Sequence, residues 1–219
     1  MTRILLINPN SNEATTAMMV RIAQSAASGD IEIIGATARR SPLVITDPVA
    51  LAAAGAEVVE IGLRQGAGTA AIIISAFGDP GITALRRQSG VPVVGIAESA
   101  MLAASDNDRR FGVATTTPDL VASIDARAAQ LGVVRLYAGT RITPGDPLKL
   151  MADPDRLVEA LRQVVSTCIQ TDNAQAVVIG GGPLGNAATA LTPMFSIPII
   201  APIPAAVRRV ARIITSGRS

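Results

Sequence analysis

The sequence contains no histidine and a single cysteine, Cys168. One thiol cannot form an intrachain disulfide, and it cannot supply the several thiolates of a structural zinc site. Because imidazole is also absent, the usual nitrogen and sulfur ligands of a transition metal are missing. We therefore expect no disulfide, no metal site and no cofactor. Cys168 stands in a segment with helical periodicity, away from any predicted strand end, and we expect it to be a core thiol.

Aromatic residues are scarce as well, with no tryptophan, one tyrosine and three phenylalanines. Proteins that bind single-stranded nucleic acid stack the bases on aromatic side chains, and proteins that bind duplexes cluster their cations on one face. The formal net charge here is only +2, and the arginines are scattered along the chain. No nucleic-acid partner is therefore expected.

Long apolar runs are missing too. A membrane-spanning helix needs about 18 consecutive apolar residues or more, and the sequence has no such stretch. The chain passes from Met1 directly into an apolar strand that Asn8 and Pro9 interrupt, which is too early for a secretory signal. We expect a cytoplasmic protein with no membrane partner.

What the sequence does contain is short apolar segments followed by helix-start signals. Residues 70–74 are all apolar and include three isoleucines, which is typical of a strand covered on both faces in a parallel sheet. Asp79 and Pro80 then form the pair typical of a helix N-cap and first helical residue. The residues from Ser75 to Gly78 therefore lie where open α/β sheets bind ligands, beyond the carboxyl end of a strand.

This arrangement recurs about a hundred residues later. Residues 174–185 form a second apolar strand with a glycine-rich turn, and Gly180 and Gly181 take the places of Ser75 and Ala76. Two further pairs of segments repeat at nearly the same spacing, namely 91–96 with 197–202 and 3–10 with 110–117. Three matched pairs indicate a duplicated unit.

The duplication predicts an α/β fold of two pseudo-symmetric Rossmann-like lobes, whose parallel sheets face each other across a central cleft. We place residues 1–97 and 205–219 in the first lobe and residues 98–204 in the second. The last helix, which begins near Ile203, is expected to pack back on the first lobe.

Periodicity and capping residues assign the remaining segments. The predicted helices are 10–27, capped by Asn10 and Ser11, then 48–64, 97–102, 120–131 and 153–170. The additional predicted strands are 31–36 and 133–138, and the predicted irregular loops are 37–47 and 139–150. Glu98 falls in the first turn of its helix, where the helix dipole favours an acid, and we expect it to be structural.

Two loops at predicted strand ends carry polar groups that suit an anion or a urea-like ligand. Residues 8–11 combine side-chain amides with the free N–H groups of a helix start, and residues 115–117 place three threonine hydroxyls beside another helix start. Each pattern is equally typical of a capping turn without a ligand. The symmetry between the two loops favours the ligand.

Backbone N–H groups at the two glycine-containing turns, those of Phe77, Gly78, Gly181 and Gly182, are expected to point into the cleft and to hold a carboxylate or enolate. Glycine at 180–182 also permits close approach of a ligand, although it is typical of a tight packing turn as well. The predicted binding residues are Asn8, Pro9, Asn10, Ser75, Ala76, Phe77, Gly78, Thr115, Thr116, Gly181, Gly182 and Pro183.

The runs at 8–11, 77–81 (Phe-Gly-Asp-Pro-Gly), 95–98 and 115–117 together resemble the hydantoin racemase branch of the aspartate/glutamate racemase superfamily. The resemblance covers essentially the whole chain. It implies the two-lobed fold and a cofactor-independent isomerase acting on a small substrate with an acidic Cα–H, such as a hydantoin, allantoin or an amino acid. We expect the protein to form a homo-oligomer. We also expect it to bind a small molecule, which is a carboxylate, an amino acid or a cyclic ureide.

In that family two cysteines act on the substrate, one removing the proton and the other returning it to the opposite face. Their places correspond here to Ala76 and Gly181, which can transfer no proton. A positioned acid or base contributes about 10²–10⁴-fold in rate. The two-thiol mechanism is therefore excluded, and so is protonation by the single thiol of the related arylmalonate decarboxylase, because its place is Gly181.

Two residues are candidates to replace the thiols. Ser75 adjoins the vacant position, but the chain has no histidine to activate it, and its side chain points away if neighbours alternate along the strand. Asp79 is a carboxylate at a suitable place, yet we expect it to cap a helix.

One hypothesis is a racemase-superfamily enzyme with cysteine-independent chemistry: isomerisation, decarboxylation or hydrolysis by an activated water. The other is a catalytically silent protein that binds small anions.

Overall fold

The computed structural model describes residues 1–216. The chain divides into two units. The first contains Met1–Ser99 and the C-terminal helix from Ile203 onward, and the second contains Ala100–Pro202.

The strands are β1 (Thr2–Asn8), β2 (Ile31–Thr37), β3 (Ala71–Ile74), β4 (Val93–Gly95), β5 (Phe111–Thr115), β6 (Tyr137–Ile142), β7 (Ala176–Ile179) and β8 (Ile199–Ile200). The α-helices are α1 (Glu13–Ala26), α2 (Pro48–Gln65), α3 (Ile82–Gln88), α4 (Ile96–Ala104), α5 (Val121–Gln130), α6 (Pro147–Met151), α7 (Pro154–Gln170), α8 (Gly185–Leu191) and α9 (Pro202–Ser216).

Each unit is built around one parallel sheet, and the two sheets have the same strand order. The first is β2-β1-β3-β4 and the second is β6-β5-β7-β8. The registers correspond as well, since Ile4 of β1 lies opposite Ala71 of β3, and Phe111 of β5 lies opposite Ala176 of β7. The predicted fold of two α/β lobes with parallel sheets, derived from the sequence repeat, is confirmed.

The first sheet is covered on both faces, because alternate residues of a strand point to opposite sides. Ile4 and Leu6 pack in one cluster with Met19 of α1 and with α9 residues. Leu5 and Ile7 pack in the other cluster with residues of α2 and α3. The prediction that the last helix packs on the first unit is therefore confirmed.

The core of the second unit joins β5 and β7 to α7 and α8. Cys168 of α7 is fully buried in this cluster, together with Leu161, Val165 and Leu184. Its side chain lies near Gly112, the second residue of β5. The only thiol thus lies in the core, as its helical context predicts.

The predicted starts of two long helices are also correct. The Asp47 side chain accepts a hydrogen bond from the N–H of Ala50 at the start of α2. Asp153 accepts one from the N–H of Arg156 at the start of α7. In both helices a proline takes the first helical position, where its missing N–H has no cost.

Two predicted helix caps are wrong. The N-cap of α1 is Asn12, whose side chain accepts from the Thr15 N–H, and not Asn10 or Ser11. Asp79 and Pro80 precede α3 without capping it, since the N-cap position is occupied by Gly81 in a left-handed conformation with φ of 76°. The Asp79 side chain instead binds the start of another helix. A local sequence pattern does not reveal such a tertiary contact.

The predicted strand 133–138 and loop 139–150 are also wrong. Residues 133–136 form a turn closed by hydrogen bonds from Leu136 and Tyr137 back to Val133. β6 begins at Tyr137 and extends to Ile142, and α6 follows inside the predicted loop. Gly139, with φ of 107°, falls in β6 where the register with β5 shifts, so the strand does not show simple alternation.

Candidate functional site

Equivalent loops follow β3 in the first sheet and β7 in the second sheet. We call residues 75–81 after β3 the first strand-end loop and residues 180–184 after β7 the second strand-end loop. The Ser75 N–H donates to the Ile7 carbonyl at 2.8 Å, and the Gly180 N–H donates to the Ala114 carbonyl at 2.8 Å. Both loops therefore leave their sheet at matching positions.

Ser75 points away from the end of its strand. Its hydroxyl donates to the Met19 sulfur at 3.0 Å, and the residue is buried beneath the sheet. Met19 belongs to the cluster between the sheet, α1 and α9. A hydroxyl held in this core cannot attack a ligand beyond the strand, so the geometry speaks against a nucleophilic Ser75.

The first strand-end loop contains a tight turn over Ala76–Asp79. The Asp79 N–H donates to the Ala76 carbonyl at 3.1 Å, which closes the turn. This bond leaves the N–H groups of Phe77 and Gly78, the two central residues, out of the turn. Gly78 has φ of 137°, a conformation that residues with a side chain rarely adopt, so the turn requires glycine there.

Asp79 caps α4 and not its own helix. Its two carboxylate oxygens accept from the N–H groups of Ala97 and Glu98, each at 2.9 Å. The residue is only 2% exposed and adopts a left-handed backbone with φ of 50°. The predicted capping function is correct in kind, but the helix is α4. With both oxygens bound to a helix start, the carboxylate is poorly placed to remove a proton.

Glu98 lies beside this cap, in the first turn of α4. Its carboxylate is 2% exposed and pairs with the Arg86 guanidinium of α3. It also accepts from the Gly95 N–H at 3.4 Å and lies 3.8 Å from Arg209 Nε of α9. These contacts tie three helices to β4, which is the structural role expected for Glu98.

The amide of Asn8, at the end of β1, is committed to its own loop. Its Nδ2 donates to Asn10 Oδ1 at 2.8 Å and to Thr16 Oγ1 at 2.9 Å, and its Oδ1 accepts from the Asn10 N–H at 3.1 Å. Asn8 is fully buried and Pro9 is buried beside it. The loop therefore has the internal bonding of a structural turn, and Asn8 has little capacity left for a ligand.

The threonine loop at the end of β5 is bonded differently. Thr115 Oγ1 donates to the Gly180 carbonyl at 2.6 Å, which links the ends of β5 and β7. Thr116 is buried beside it. Thr143, which sequence reasoning missed, donates its N–H to the Thr115 carbonyl, and its buried hydroxyl has no hydrogen-bond partner within the described chain. No sequence pattern marks Thr143, because it follows the misassigned β6.

The second strand-end loop repeats the closing hydrogen bond of the first, without its positive-φ backbone or its side-chain cap. The Leu184 N–H donates to the Gly181 carbonyl at 3.3 Å, as Asp79 does to Ala76. The Gly181 N–H donates to the Ile179 carbonyl at 3.1 Å, which makes it less available to a ligand than the prediction supposes. Gly182 is buried, and Pro183 and Gly181 are half-buried.

Gly181 is not glycine for conformational reasons. Its φ lies outside the positive region, and a Cβ there would meet Leu184 Cγ at 3.0 Å, a flexible side chain that needs to move only slightly. A side chain can therefore be introduced at position 181 without backbone strain.

Neither loop carries a thiol. Burial raises the pKa of the Cys168 thiol to about 12, and the sulfur lies near the start of β5 instead of its carboxyl end. Within residues 1–216, no group of three or more metal-binding side chains occurs. Over the same residues, no helix is long and apolar enough to cross a membrane.

Comparison with known proteins identifies consistent relatives. The family described as Asp/Glu/Hydantoin racemase matches residues 4–210. A hydantoin racemase of Pseudomonas sp. (strain NS671) is 31% identical over 218 residues, which cover 99% of this chain and 87% of the relative.

Solved structures agree with the sequence relatives. Allantoin racemase from Klebsiella pneumoniae is similar with a TM-score of 0.93 and 29% identity, covering 99% of this chain and 89% of that one. Allantoin racemase from Pseudomonas fluorescens has a TM-score of 0.92 and 25% identity, covering 99% of this chain and 92% of that one.

Proposed function

Because the chain belongs to the Asp/Glu/hydantoin racemase family, we propose that it is an isomerase of small cyclic ureides or carboxylates that works without a catalytic thiol. Relatives named for hydantoin and for allantoin support the cyclic ureide class. In such rings the proton to be exchanged lies on a carbon next to a carbonyl. Its removal creates an enolate, so the site must stabilise negative charge on oxygen.

The observation that carries the proposal is the turn Ala76–Asp79. Its two central N–H groups take no part in the closing bond, and Ala76 and Gly78 are only half-buried. Hydrogen bonds to a charged group contribute about 1.5–3 kcal/mol each. Two such bonds to an enolate would therefore lower the barrier by roughly 3–6 kcal/mol, which corresponds to about 10²–10⁴-fold in rate.

The proton carrier in this proposal is a water molecule and not a side chain of the first strand-end loop. The Ser75 hydroxyl is bound to Met19, and both Asp79 oxygens accept from α4. One water molecule takes the proton from the ring carbon and becomes hydronium. A second water on the opposite face donates a proton to that carbon and becomes hydroxide, and the two ions neutralise each other in the solvent. The proposal predicts slower turnover than a thiol pair would give, because water is a weaker base than a thiolate.

A second candidate is a silent binding protein that holds small anions and catalyses nothing. The commitment of Ser75, Asp79 and Asn8 to internal bonds favours it, because these three side chains then have little capacity left for chemistry on a ligand. Binding with no chemistry would need no more than the N–H groups of Phe77 and Gly78.

Proton exchange separates the two candidates. The protein is incubated in D₂O with single enantiomers of allantoin, of 5-substituted hydantoins and of amino acids, and separately with malonates. Loss of the ring C–H signal is followed by NMR, and optical rotation is measured in parallel. The isomerase predicts enzyme-dependent exchange together with racemisation of a ureide. A ligand that raises the melting temperature and stays protonated and optically pure for hours indicates the binding protein. Turnover of a malonate with loss of carbon dioxide would indicate a decarboxylase.

A further inference from the structure

Asp79 is held at both its side chain and its backbone. Its carboxylate binds the N–H groups of Ala97 and Glu98, and its own N–H closes the turn on Ala76. Its carbonyl accepts from the Ile82 N–H at 3.3 Å. One residue therefore connects the turn, the start of α3 and the start of α4.

The left-handed backbone of Asp79 is unusual for a residue with a side chain. Asp and Asn enter this region more readily than other non-glycine residues, and Asn107, Asp108 and Asn173 do so as well, but tertiary bonds can fix one such residue in place. The two bonds to α4 are well placed to do so. Glu98 in turn anchors α4 through Arg86 of α3, so the turn is fixed to the body of the first unit.

The neighbouring backbone leaves room for this carboxylate. A Cβ on Gly95 would lie 2.1 Å from Asp79 Cγ and 2.1 Å from its Oδ1. A Cβ on Gly81 would lie 2.5 Å from the Gly55 carbonyl oxygen, so the chain after the turn also packs against α2 at close range. Glycines at 95, 81 and 55 thus fit the Asp79 arrangement from two sides.

The second unit shows that the fold itself does not require a carboxylate here. Leu184 takes the place of Asp79, makes the same turn bond to Gly181, and is 2% exposed in the apolar core. The sheet order is the same. In the corresponding helix, α9, the positions of Ala97 and Glu98 are taken by Ile203 and Pro204, and Pro204 has no N–H, so only one of the two N–H groups that Asp79 binds has a counterpart. The carboxylate at position 79 is therefore specific to the first unit, where it bonds both N–H groups of α4 and fixes the turn.

We infer that Asp79 is a positioning residue, which holds the Phe77 and Gly78 N–H groups in place for the ligand. The identity of the ligand rests on the proposed function, but the positioning is a property of the protein alone. Asp79 does not touch the ligand in this account and acts through the turn.

Two variants and one control test the inference. Asp79→Leu introduces the residue of the second unit, and Asp79→Asn keeps the size and one acceptor oxygen. Asp153→Asn is the control for loss of a helix cap, because Asp153 caps α7 with one side-chain bond and lies outside both strand-end loops. Amide spectra and hydrogen exchange of ¹⁵N-labelled proteins are recorded without ligand. Allantoin affinity is then measured by titration.

In the Asp79 variants the Phe77 and Gly78 amide signals should shift, and their hydrogen exchange should accelerate at least about tenfold more than in the control, as expected when a local anchor is lost. The dissociation constant for allantoin should rise about two- to tenfold, because each hydrogen bond to a neutral carbonyl has that order of effect. Asp153→Asn should change neither the hydrogen exchange of the Phe77 and Gly78 amides nor the dissociation constant for allantoin. Asp79→Asn decides the question if Asp79→Leu does not fold.

Unchanged Phe77 and Gly78 amides in a folded Asp79 variant would overturn the inference. Equal acceleration in Asp153→Asn would overturn it as well, because the cause would then be general destabilisation. If the parent binds neither allantoin nor the other ureides, the proposed substrate class fails. The amide measurements still decide whether Asp79 positions the turn.

Discussion

The two strand-end loops share a closing hydrogen bond and differ in backbone conformation and in anchor. In the first, the turn from Ala76 to Asp79 is held by a buried carboxylate bound to α4. In the second, the turn from Gly181 to Leu184 is held by apolar packing of the leucine. The closing hydrogen bond therefore follows from the duplicated strand and helix, whereas the anchor is specific to each unit.

This difference predicts unequal tolerance to substitution. Around the first loop, added Cβ atoms would meet a carboxylate or a backbone carbonyl at 2.1–2.5 Å, at Gly95 and Gly81. At Gly181 of the second loop, an added Cβ would meet only the Leu184 side chain, at 3.0 Å. We therefore expect the first loop to tolerate added side chains less well than the second.

Gly95→Ala should give the largest effect. The new methyl group occupies the space of the Asp79 carboxylate, so the carboxylate must leave α4 or the strand must move. We expect a loss of about 3 kcal/mol in the free energy of unfolding, from overpacking and broken hydrogen bonds. Chemical denaturation midpoints measure it.

Gly181→Ala is the control for that prediction. It should change the free energy of unfolding by no more than about 1 kcal/mol, because only a flexible side chain must shift. Equal losses in the two variants would contradict the proposed difference between the loops.

Cys168→Ser should have an intermediate effect on stability and none on the loops. A hydroxyl in this apolar core costs about 1–3 kcal/mol, whereas ligand binding and turnover should be nearly unchanged. Abolished turnover in a folded variant would show that the thiol takes part in the chemistry after all.

The same variant predicts a pH dependence. Burial raises the folded pKa of Cys168 from 9.0 to about 12, so the folded state binds this proton more tightly than the unfolded state. The stability linked to it is fully present below pH 9 and decreases as the pH rises toward 12. The stability difference between parent and Cys168→Ser should therefore shrink over this range. A constant difference would show that the thiol titrates normally.

Thr115→Val should have the smallest effect. It removes the hydroxyl that donates to the Gly180 carbonyl and leaves that carbonyl without this bond. We expect a loss of about 1 kcal/mol. Thr215→Val, at an exposed position of α9, is the control. Its free energy of unfolding should lie within about 0.5 kcal/mol of that of the parent. Equal denaturation midpoints for the two variants would mean that the bond does not hold the second loop.

Much of the fold follows from local signals in the sequence. The apolar runs of β3 and β7 and their repeated spacing predict the two parallel sheets, and Asp-Pro pairs mark the starts of α2 and α7. The same pair at Asp79 misleads, because its partner helix begins 17 residues later in the chain. A carboxylate binds the free N–H groups that lie nearest to it in space. A local sequence pattern does not show where those groups are.

The candidate site is less predictable than the fold. An amide at a strand end suits a ligand and a loop equally well, and only the contacts of Asn8 show that it serves the loop. The direction of the Ser75 hydroxyl likewise depends on Met19, 56 residues away in sequence. β6 escaped detection because Gly139 interrupts its register.

The central proposal is that the chain binds the substrates of its family at the two strand-end loops and catalyses without the thiols. Introducing Ala76→Cys and Gly181→Cys together tests it, since the backbone at 181 accepts a side chain and Ala76 already has a Cβ. The measurement is deuterium exchange of the allantoin ring C–H in D₂O, followed by NMR. Thiols acting as acid and base should accelerate exchange over the parent by about 10²–10⁴-fold. A folded double variant that binds allantoin and exchanges no faster than the parent would contradict the account.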